Sequence, residues 1–133
     1  MAGLYIHIPF CRQVCYYCDF HFVASLRYKN DFLEELLQEI EMRRDEMSGE
    51  VFHSLYLGGG TPSVLAIGEL QQIFKAVYGF YNFTSDAEVT FEANPDDLTE
   101  KYLKDLCRTP VNRLSIGIQS FFNKHLALMN RRH

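Results

Sequence analysis

One local pattern recurs along the chain: a short β-rich run, a loop, and a segment in which apolar residues recur at helical spacing. We predict strands over residues 4–8, 52–57, 87–93 and 112–118, each followed by a helix. Strands that alternate with helices form parallel sheets with right-handed crossovers, and the helices cover one or both faces. The sequence therefore predicts an α/β fold.

The ends of two helices are predicted from capping signals. Asn30 or Asp31 is suited to cap the first helix, and Ser48–Gly49 is predicted to end it. Asn123 is predicted to cap the last helix. The two helices between them are marked by apolar residues at helical spacing: Leu70, Ile73, Phe74 and Val77 in one, and Tyr102, Leu103 and Leu106 in the other.

About four βα units amount to half of an eight-fold barrel. Because the last unit stops abruptly, we expect residues 1–133 to be the N-terminal part of a core domain, a partial (β/α) barrel with parallel strands. The rest of the barrel and a C-terminal domain would then be absent. The alternative is a small open α/β sheet. An incomplete barrel is expected to expose the edge of its fourth strand and an apolar sheet face, which would favour association.

The composition argues against some classes of function. The chain is 47% apolar, which suits a packed unit, and its net charge of −4 with scattered basic residues argues against a nucleic-acid partner. The first residues lack the features of a signal peptide, and no apolar run approaches the roughly 18–20 residues of a transmembrane segment. We therefore expect a cytoplasmic protein, in which thiols stay reduced and clustered cysteines bind metals.

Three of the cysteines are crowded into the stretch PFCRQVCYYCDF, at Cys11, Cys15 and Cys18. The spacing C-x3-C-x2-C lets one loop bring three thiolates round one face of a cuboidal [4Fe–4S] cluster, which usually has four cysteine ligands. One iron then lacks a protein ligand, and an open position is typical of catalytic metal sites. The flanking aromatic residues are predicted to shield the cluster: Phe10, Tyr16, Tyr17 and Phe20.

Two alternative roles for the cysteines stay open at this point. A zinc site would need a fourth ligand, which a histidine such as His7, His21 or His53 would supply. A redox pair would be formed by Cys15 and Cys18, although no thioredoxin-like unit surrounds them. The remaining cysteine, Cys107, is predicted to be a small buried hydrophobe in a short helix.

Five motifs together resemble a known family. The cysteine stretch resembles the signature of the radical S-adenosylmethionine (SAM) enzymes: YIHIPFCRQVCYYCDF, residues 5–20. It is most similar to the branch that contains the oxygen-independent coproporphyrinogen III oxidases and the HemW-type heme chaperones. Four further segments resemble the later motifs of that branch, in the same order: LYLGGGTPS (55–63), FEANPDDLT (91–99), VNRLSIGIQSF (111–121) and LMNRRH (128–133).

The resemblance implies the cofactors and their ligands. It implies that Cys11, Cys15 and Cys18 bind a [4Fe–4S] cluster, and that SAM chelates the open iron through its amino and carboxylate groups. One electron then cleaves SAM to methionine and a 5′-deoxyadenosyl radical. Further residues are implied to bind SAM: Gly59, Gly60 and Thr61 at its methionyl end, Gln119 near its nucleoside, and Glu92, Arg131, Tyr5 and Tyr17 close by.

Plainer structural roles would also suit these residues. Residues 58–60 would form a tight strand-to-helix turn, and the run lacks the G-K-[ST] of a phosphate-binding loop. Glu92 and Arg131 would be solvated charges, and Tyr5 would pack its strand. Glu92 nevertheless ends a strand, on the edge of a βα fold where active sites lie.

The residues after Cys18 distinguish the two kinds of protein in this branch. The oxidase motif has the pattern C-x3-C-x2-C-x-C. This chain has Asp19–Phe20 after the third cysteine, so it lacks the fourth cysteine of that motif. The resemblance therefore implies a protein of porphyrin and heme metabolism, in first place a heme chaperone without oxidase activity and in second place the oxidase. It implies heme as a possible further cofactor, heme or a porphyrinogen as the small-molecule partner, and an electron donor for the cluster. Whether the protein is an enzyme stays open.

Overall fold

The computed structural model of the protein describes residues 2–131; Met1, Arg132 and His133, the last two belonging to the LMNRRH block, lie outside the described residues. Four parallel strands pair in chain order to form one sheet. This confirms the predicted parallel α/β arrangement. The bounds of the strands are Ala2–Ile8 for β1, Val51–Gly59 for β2, Asn82–Ala93 for β3 and Arg113–Ile116 for β4.

A helix follows each strand. Parallel neighbours in chain order, joined by helices, are the arrangement of a (β/α) barrel, and four such units make half of one. Within residues 2–131, no helix is both long and apolar enough to cross a membrane. The bounds of the helices are Lys29–Met42 for α1, Ile67–Phe80 for α2, Glu100–Leu106 for α3 and Asn123–Leu128 for α4, with short 3-10 turns at Pro62–Val64 and Pro95–Asp97.

The predicted ends of α1 were wrong. The helix begins at Lys29, ahead of both predicted caps, and ends at Met42, well before Ser48–Gly49. Its last buried position is Ile40, and residues 43–50 are all exposed. A longer helix would bury nothing against the sheet, and most helical stability in proteins comes from packing an apolar face.

Two further predictions about helices were also wrong. Asn123 is the first helical residue of α4 rather than its cap, which is Phe122. Cys107, predicted to be buried, is exposed where α3 ends. Its neighbour Leu106 is the residue that α3 buries. Successive residues on a helix point about 100° apart, so Cys107 is turned away from the core when Leu106 faces it.

One face of the sheet forms the core with the helices. Alternate strand residues point to the same face, and on this face they are apolar. The side chains of α1 and α2 cover it, and an ion pair between Lys29 and Glu69 joins these two helices. Among the buried residues are Ile6, Ile8, Leu55, Leu57, Val89 and Phe91 from the sheet, and Leu36, Ile40, Leu70, Ile73, Phe74, Val77 and Leu106 from the helices.

The opposite face of the sheet is polar. Tyr5 pairs with Tyr56 across β1 and β2, and Glu92 pairs with Ser115 across β3 and β4. The prediction of an apolar exposed sheet face was therefore wrong for this face, because the residues that alternate with the core positions are polar. Exposed apolar side chains are found instead on β4, at Leu114 and Ile116, on the same side of the sheet as the core. The predicted exposure of the fourth strand is confirmed, since β4 lies at the end of the sheet and all of its residues are exposed.

Candidate functional site

The cysteine loop and the carboxyl ends of the strands enclose one cleft of about 770 Å³. This is the edge at which βα folds hold their active sites. The cleft brings together ten of the eleven residues predicted to bind the cluster or SAM, and they come from all five motifs. They are Cys11, Cys15, Tyr17, Cys18, Gly59, Gly60, Thr61, Glu92, Gln119 and Arg131.

The cysteine loop is closed at its base by the backbone. The N–H of Cys11 donates to the carbonyl of Val23 (3.0 Å), and the N–H of Val23 donates to the carbonyl of Pro9 (2.6 Å). Within the loop, the N–H of Cys18 donates to the carbonyl of Cys15 (3.1 Å). The three thiols therefore sit on a loop whose two ends are held together, beside the end of β1.

Two donors point at the thiols. The hydroxyl of Thr61 donates to Sγ of Cys11 (3.4 Å), and Nη1 of Arg131 donates to Sγ of Cys15 (3.7 Å). Burial raises the pKa of the Cys11 thiol, as do Cys18 and Cys15, whereas Thr61 and Arg131 oppose the rise. Both donors favour the thiolate, which is the form that binds iron. The donor set fits a group held through thiolate sulfur.

The described residues do not form a site for a single metal ion. Within residues 2–131, no three side chains of His, Cys, Asp or Glu are grouped so that they could hold one ion. His7 is also engaged elsewhere, because its Nε2 bonds the backbone oxygen of His21 (3.0 Å). The zinc alternative gains no support from this arrangement, whereas thiolates that each hold a different iron of a cluster need not converge on one atom.

Glu92 is held in a fixed orientation at the end of β3. The hydroxyl of Tyr56 donates to its Oε1 (2.6 Å), and the backbone N–H of Gly59 donates to its Oε2 (3.1 Å). The bond to Glu92 is the main cause of the raised pKa of the Tyr56 hydroxyl. Charge-assisted bonds of this kind are short and strong. The carboxylate is therefore positioned by its neighbours and faces the cleft.

Gly59 and Gly60 are required by close approaches within the protein. Gly59 has φ +116°, and a Cβ there would lie 2.7 Å from the ring of His7. A Cβ on Gly60 would lie 2.8 Å from the backbone oxygen of Phe10. Sequence reasoning assigned these glycines to contact with a ligand; the structure adds that both already touch the strand and loop leading to Cys11.

Arg131 links the end of the described chain to the cysteine loop and the strand ends. Its Nη2 donates to Oδ1 of Asn94 (3.1 Å) and to the carbonyl of Gly117 (2.5 Å), and its Nη1 donates to the hydroxyl of Tyr17 (2.9 Å). Burial raises the pKa of the Tyr17 hydroxyl, against the effect of Arg131. Gln119 lines the same cleft with a left-handed backbone, φ 66°.

A family model described as the radical SAM superfamily matches residues 5–133. The chain belongs to the radical SAM superfamily. Among curated relatives, the heme chaperone HemW of Lactococcus lactis is 38% identical over 130 residues, which cover 97% of this chain and 33% of the relative. The oxygen-independent coproporphyrinogen III oxidase of Escherichia coli is 35% identical over 131 residues, which cover 97% of this chain and 29% of the relative.

The solved structure of HemN, the Escherichia coli coproporphyrinogen III oxidase described as a radical SAM enzyme, has the same fold over this region. It matches with a TM-score of 0.92 at 33% identity, over 98% of this chain and 31% of that chain. The chain thus spans about a third of the length of these relatives. Radical SAM proteins as a family use a [4Fe–4S] cluster and SAM, so the predicted family and its general cofactors are confirmed.

Tyr5 is the one predicted radical SAM site residue that does not line the cleft. It is 55% exposed, bonds Nδ1 of His7 (3.0 Å) and stacks on Tyr56 with ring centroids 5.9 Å apart. Tyr56 in turn holds Glu92. Tyr5 therefore lies on the polar face of the sheet and is linked to the cleft through Tyr56, which bonds Glu92.

The aromatic residues near the thiols differ in position. Tyr17 and Phe20 line the cleft, as predicted. Phe10 is instead buried in the core against Phe32, and Tyr16 is 76% exposed outside the cleft. The predicted shield was therefore wrong for two of its four members, because residues next to one another along the loop point in different directions.

Sequence reasoning missed four residues that support the site: Tyr56, Asn94, Asp97 and Asn130. Asp97 accepts hydrogen bonds from Nε of Arg12 in the cysteine loop (3.1 Å) and from the hydroxyl of Ser63 (2.7 Å). All four lie inside motifs that were recognised, and Asn130 directly precedes Arg131. A usable signal was therefore present: polar residues within those motifs that had been given no role.

Proposed function

We propose that Cys11, Cys15 and Cys18 hold a [4Fe–4S] cluster whose fourth iron is left open for SAM. The observation that carries this proposal is that the three thiols share one cleft with the strand ends and with Arg131. Thr61 and Arg131 donate to two of the sulfurs, and hydrogen bonds to sulfur tune cluster potential. Residues 1–133 would then correspond to the N-terminal part of a radical SAM core domain. The reduced thiols of such a site suit the cytoplasm.

SAM would bind across the strand ends beside the open iron. Glu92 offers a fixed carboxylate, suited to accept hydrogen bonds from an amine or from hydroxyl groups. Arg131 offers a guanidinium in the same cleft, suited to a carboxylate. Gly59, Gly60, Thr61, Gln119 and Tyr17 line the same cleft, and Tyr5 would act through Tyr56.

We expect Glu92→Gln to weaken SAM binding about 30-fold without loss of iron. Removing the charge from a hydrogen-bonded carboxylate costs about 2 kcal/mol, and each 1.4 kcal/mol is about tenfold in affinity. Equilibrium titration of the reconstituted protein with SAM measures the change. Glu88→Gln is the matched control, because Glu88 lies on the same strand and pairs with Arg113 outside the cleft. Equal SAM affinity in both variants would show that the assigned site is wrong.

The function we propose for the whole protein is that of a heme chaperone. Its support is the sequence after the third cysteine, where Asp19–Phe20 stands in place of the further cysteine of the oxidase pattern. Similarity to the heme chaperone HemW also supports it. Heme is then the cargo, and a separate electron donor reduces the cluster. The second candidate is oxygen-independent coproporphyrinogen III oxidase activity, which the likeness to HemN favours.

A heme titration and an oxidase assay separate these two functions. We expect a heme absorption band to develop with saturation, and little or no protoporphyrinogen to form in anaerobic assays with SAM, a reductant and coproporphyrinogen III. The reason is the difference in sequence after the third cysteine, where Asp19–Phe20 replaces the further cysteine, since turnover demands that the reacting atoms be held about 3–3.5 Å apart. Product formation at about 1 s⁻¹ or faster would establish the oxidase instead.

A further inference from the structure

Residues 129–131 lie against the cysteine loop, more than 110 residues away in sequence. The N–H of Tyr16 donates to the carbonyl of Met129 (3.1 Å). Nδ2 of Asn130 donates to the carbonyl of Val14 (2.6 Å). Nε2 of Gln13 donates to both the carbonyl and Oδ1 of Asn130, each at 2.8 Å. The loop segment between the first two cysteines is therefore bonded to one residue of a distant motif.

The backbone of Asn130 ends α4 in a defined way. Its φ is 54°, in the left-handed region that asparagine tolerates better than most residues. Its N–H donates to the carbonyl of Ala127 (3.1 Å), and the N–H of Arg131 donates to the carbonyl of Leu126 (2.9 Å). These two bonds form a Schellman motif. The turn directs the chain back toward the cysteine loop, where Arg131 meets Tyr17 and Cys15.

The side chain of Asn130 makes contacts that are separate from the backbone turn. Its amide nitrogen donates to Val14, and its amide oxygen accepts from Gln13, so both ends of the amide are used on the same loop. A loop that must present three thiolates to one cluster loses conformational entropy on ordering. Bonds that hold the loop without involving the cluster reduce the part of that loss that accompanies cluster binding.

We propose that Asn130 is a positioning residue, whose side-chain amide holds the cysteine loop in its cluster-binding conformation. The proposal rests on the proposed cluster site, and it assigns to Asn130 no contact with the cluster or with SAM. The backbone turn at Asn130 orients Arg131, whereas its amide holds Gln13 and Val14, the two residues that precede Cys15 in the loop.

Two substitutions separate the turn from the amide. Asn130→Gly keeps the left-handed backbone at no steric cost and removes the amide. Asn130→Asp keeps the shape of the side chain but replaces the donor to Val14 with an oxygen. Asn123→Gly and Asn123→Asp are matched controls, since Asn123 is exposed at the other end of α4.

The first measurement is amide hydrogen exchange in the metal-free, reduced protein. We expect exchange of residues 13–18 to be about tenfold faster in both Asn130 variants, as for the loss of one or two hydrogen bonds, and unchanged in both controls. Exchange in β2 and β3 should stay as in the wild type. Wild-type exchange of residues 13–18 in both Asn130 variants would overturn the proposal.

The second measurement is cluster retention in the reconstituted protein. We expect a chelator to remove iron about tenfold faster from both Asn130 variants than from the wild type or the controls. The electron paramagnetic resonance spectrum of their reduced cluster should also change less when SAM is added. Equal rates of iron loss would overturn the proposal. A wild-type protein that takes up no iron and sulfide would instead overturn the proposed function, and hydrogen exchange would still decide the role of Asn130.

Discussion

Alanine at Cys11, Cys15 or Cys18 should reduce the iron and sulfide of the reconstituted protein from about four of each per chain to nearly none. In the proposed site each thiolate would hold a different iron, and the two that remain would not anchor the cluster against loss to solvent. Iron and sulfide analysis after anaerobic reconstitution measures the change. We expect the same loss at all three positions, since all three line the cleft.

Cys107→Ala is the matched control for this experiment. Cys107 is exposed at the end of α3 and does not line the cleft, so iron and sulfide should stay at the wild-type level. Stoichiometric zinc without sulfide in the wild-type protein would contradict the cluster and restore the zinc alternative. A fall in iron in Cys107→Ala equal to that in the other variants would show that the three loop cysteines are not a dedicated site.

Gly60→Ala should both destabilise the protein and lower its cluster content. The new Cβ would lie 2.8 Å from the backbone oxygen of Phe10 and 2.9 Å from the carbonyl carbon of Pro9. Backbone cannot yield as a flexible side chain does, so the segment before Cys11 must move. Overpacking of this kind costs about 1–3 kcal/mol in free energy of unfolding. Denaturant unfolding and iron analysis of the same samples measure the two effects.

Gly68→Ala supplies the contrast. Gly68 lies in α2, and a Cβ there would meet nothing within 4 Å. The change should leave the cluster intact and raise stability by up to about 1 kcal/mol, because alanine favours the helix over glycine. Wild-type iron content together with wild-type stability in Gly60→Ala would refute the argument from close approach to Phe10.

The sequence alone was sufficient to predict the order of the strands and the family. Each strand and helix is encoded by the alternation or helical spacing of residues that are neighbours in the chain, as with Leu55 and Leu57 on β2. The parallel sheet follows from the succession of these elements. The thiols of Cys11, Cys15 and Cys18 share one short loop, so their proximity needs no knowledge of the fold.

Tertiary structure decided the contacts between those local units. The amide of Asn130 reaches Val14, and Arg12 reaches Asp97, across 116 and 85 residues of chain. The reason that Gly60 has no side chain is the backbone of Phe10, which the sheet brings alongside it. Local periodicity carries no information about such pairs, because they exist only once β1, β2 and β3 are packed side by side. The thiols and the glycines were thus readable in the sequence, whereas the bonds that orient them arise only from the packing of distant segments.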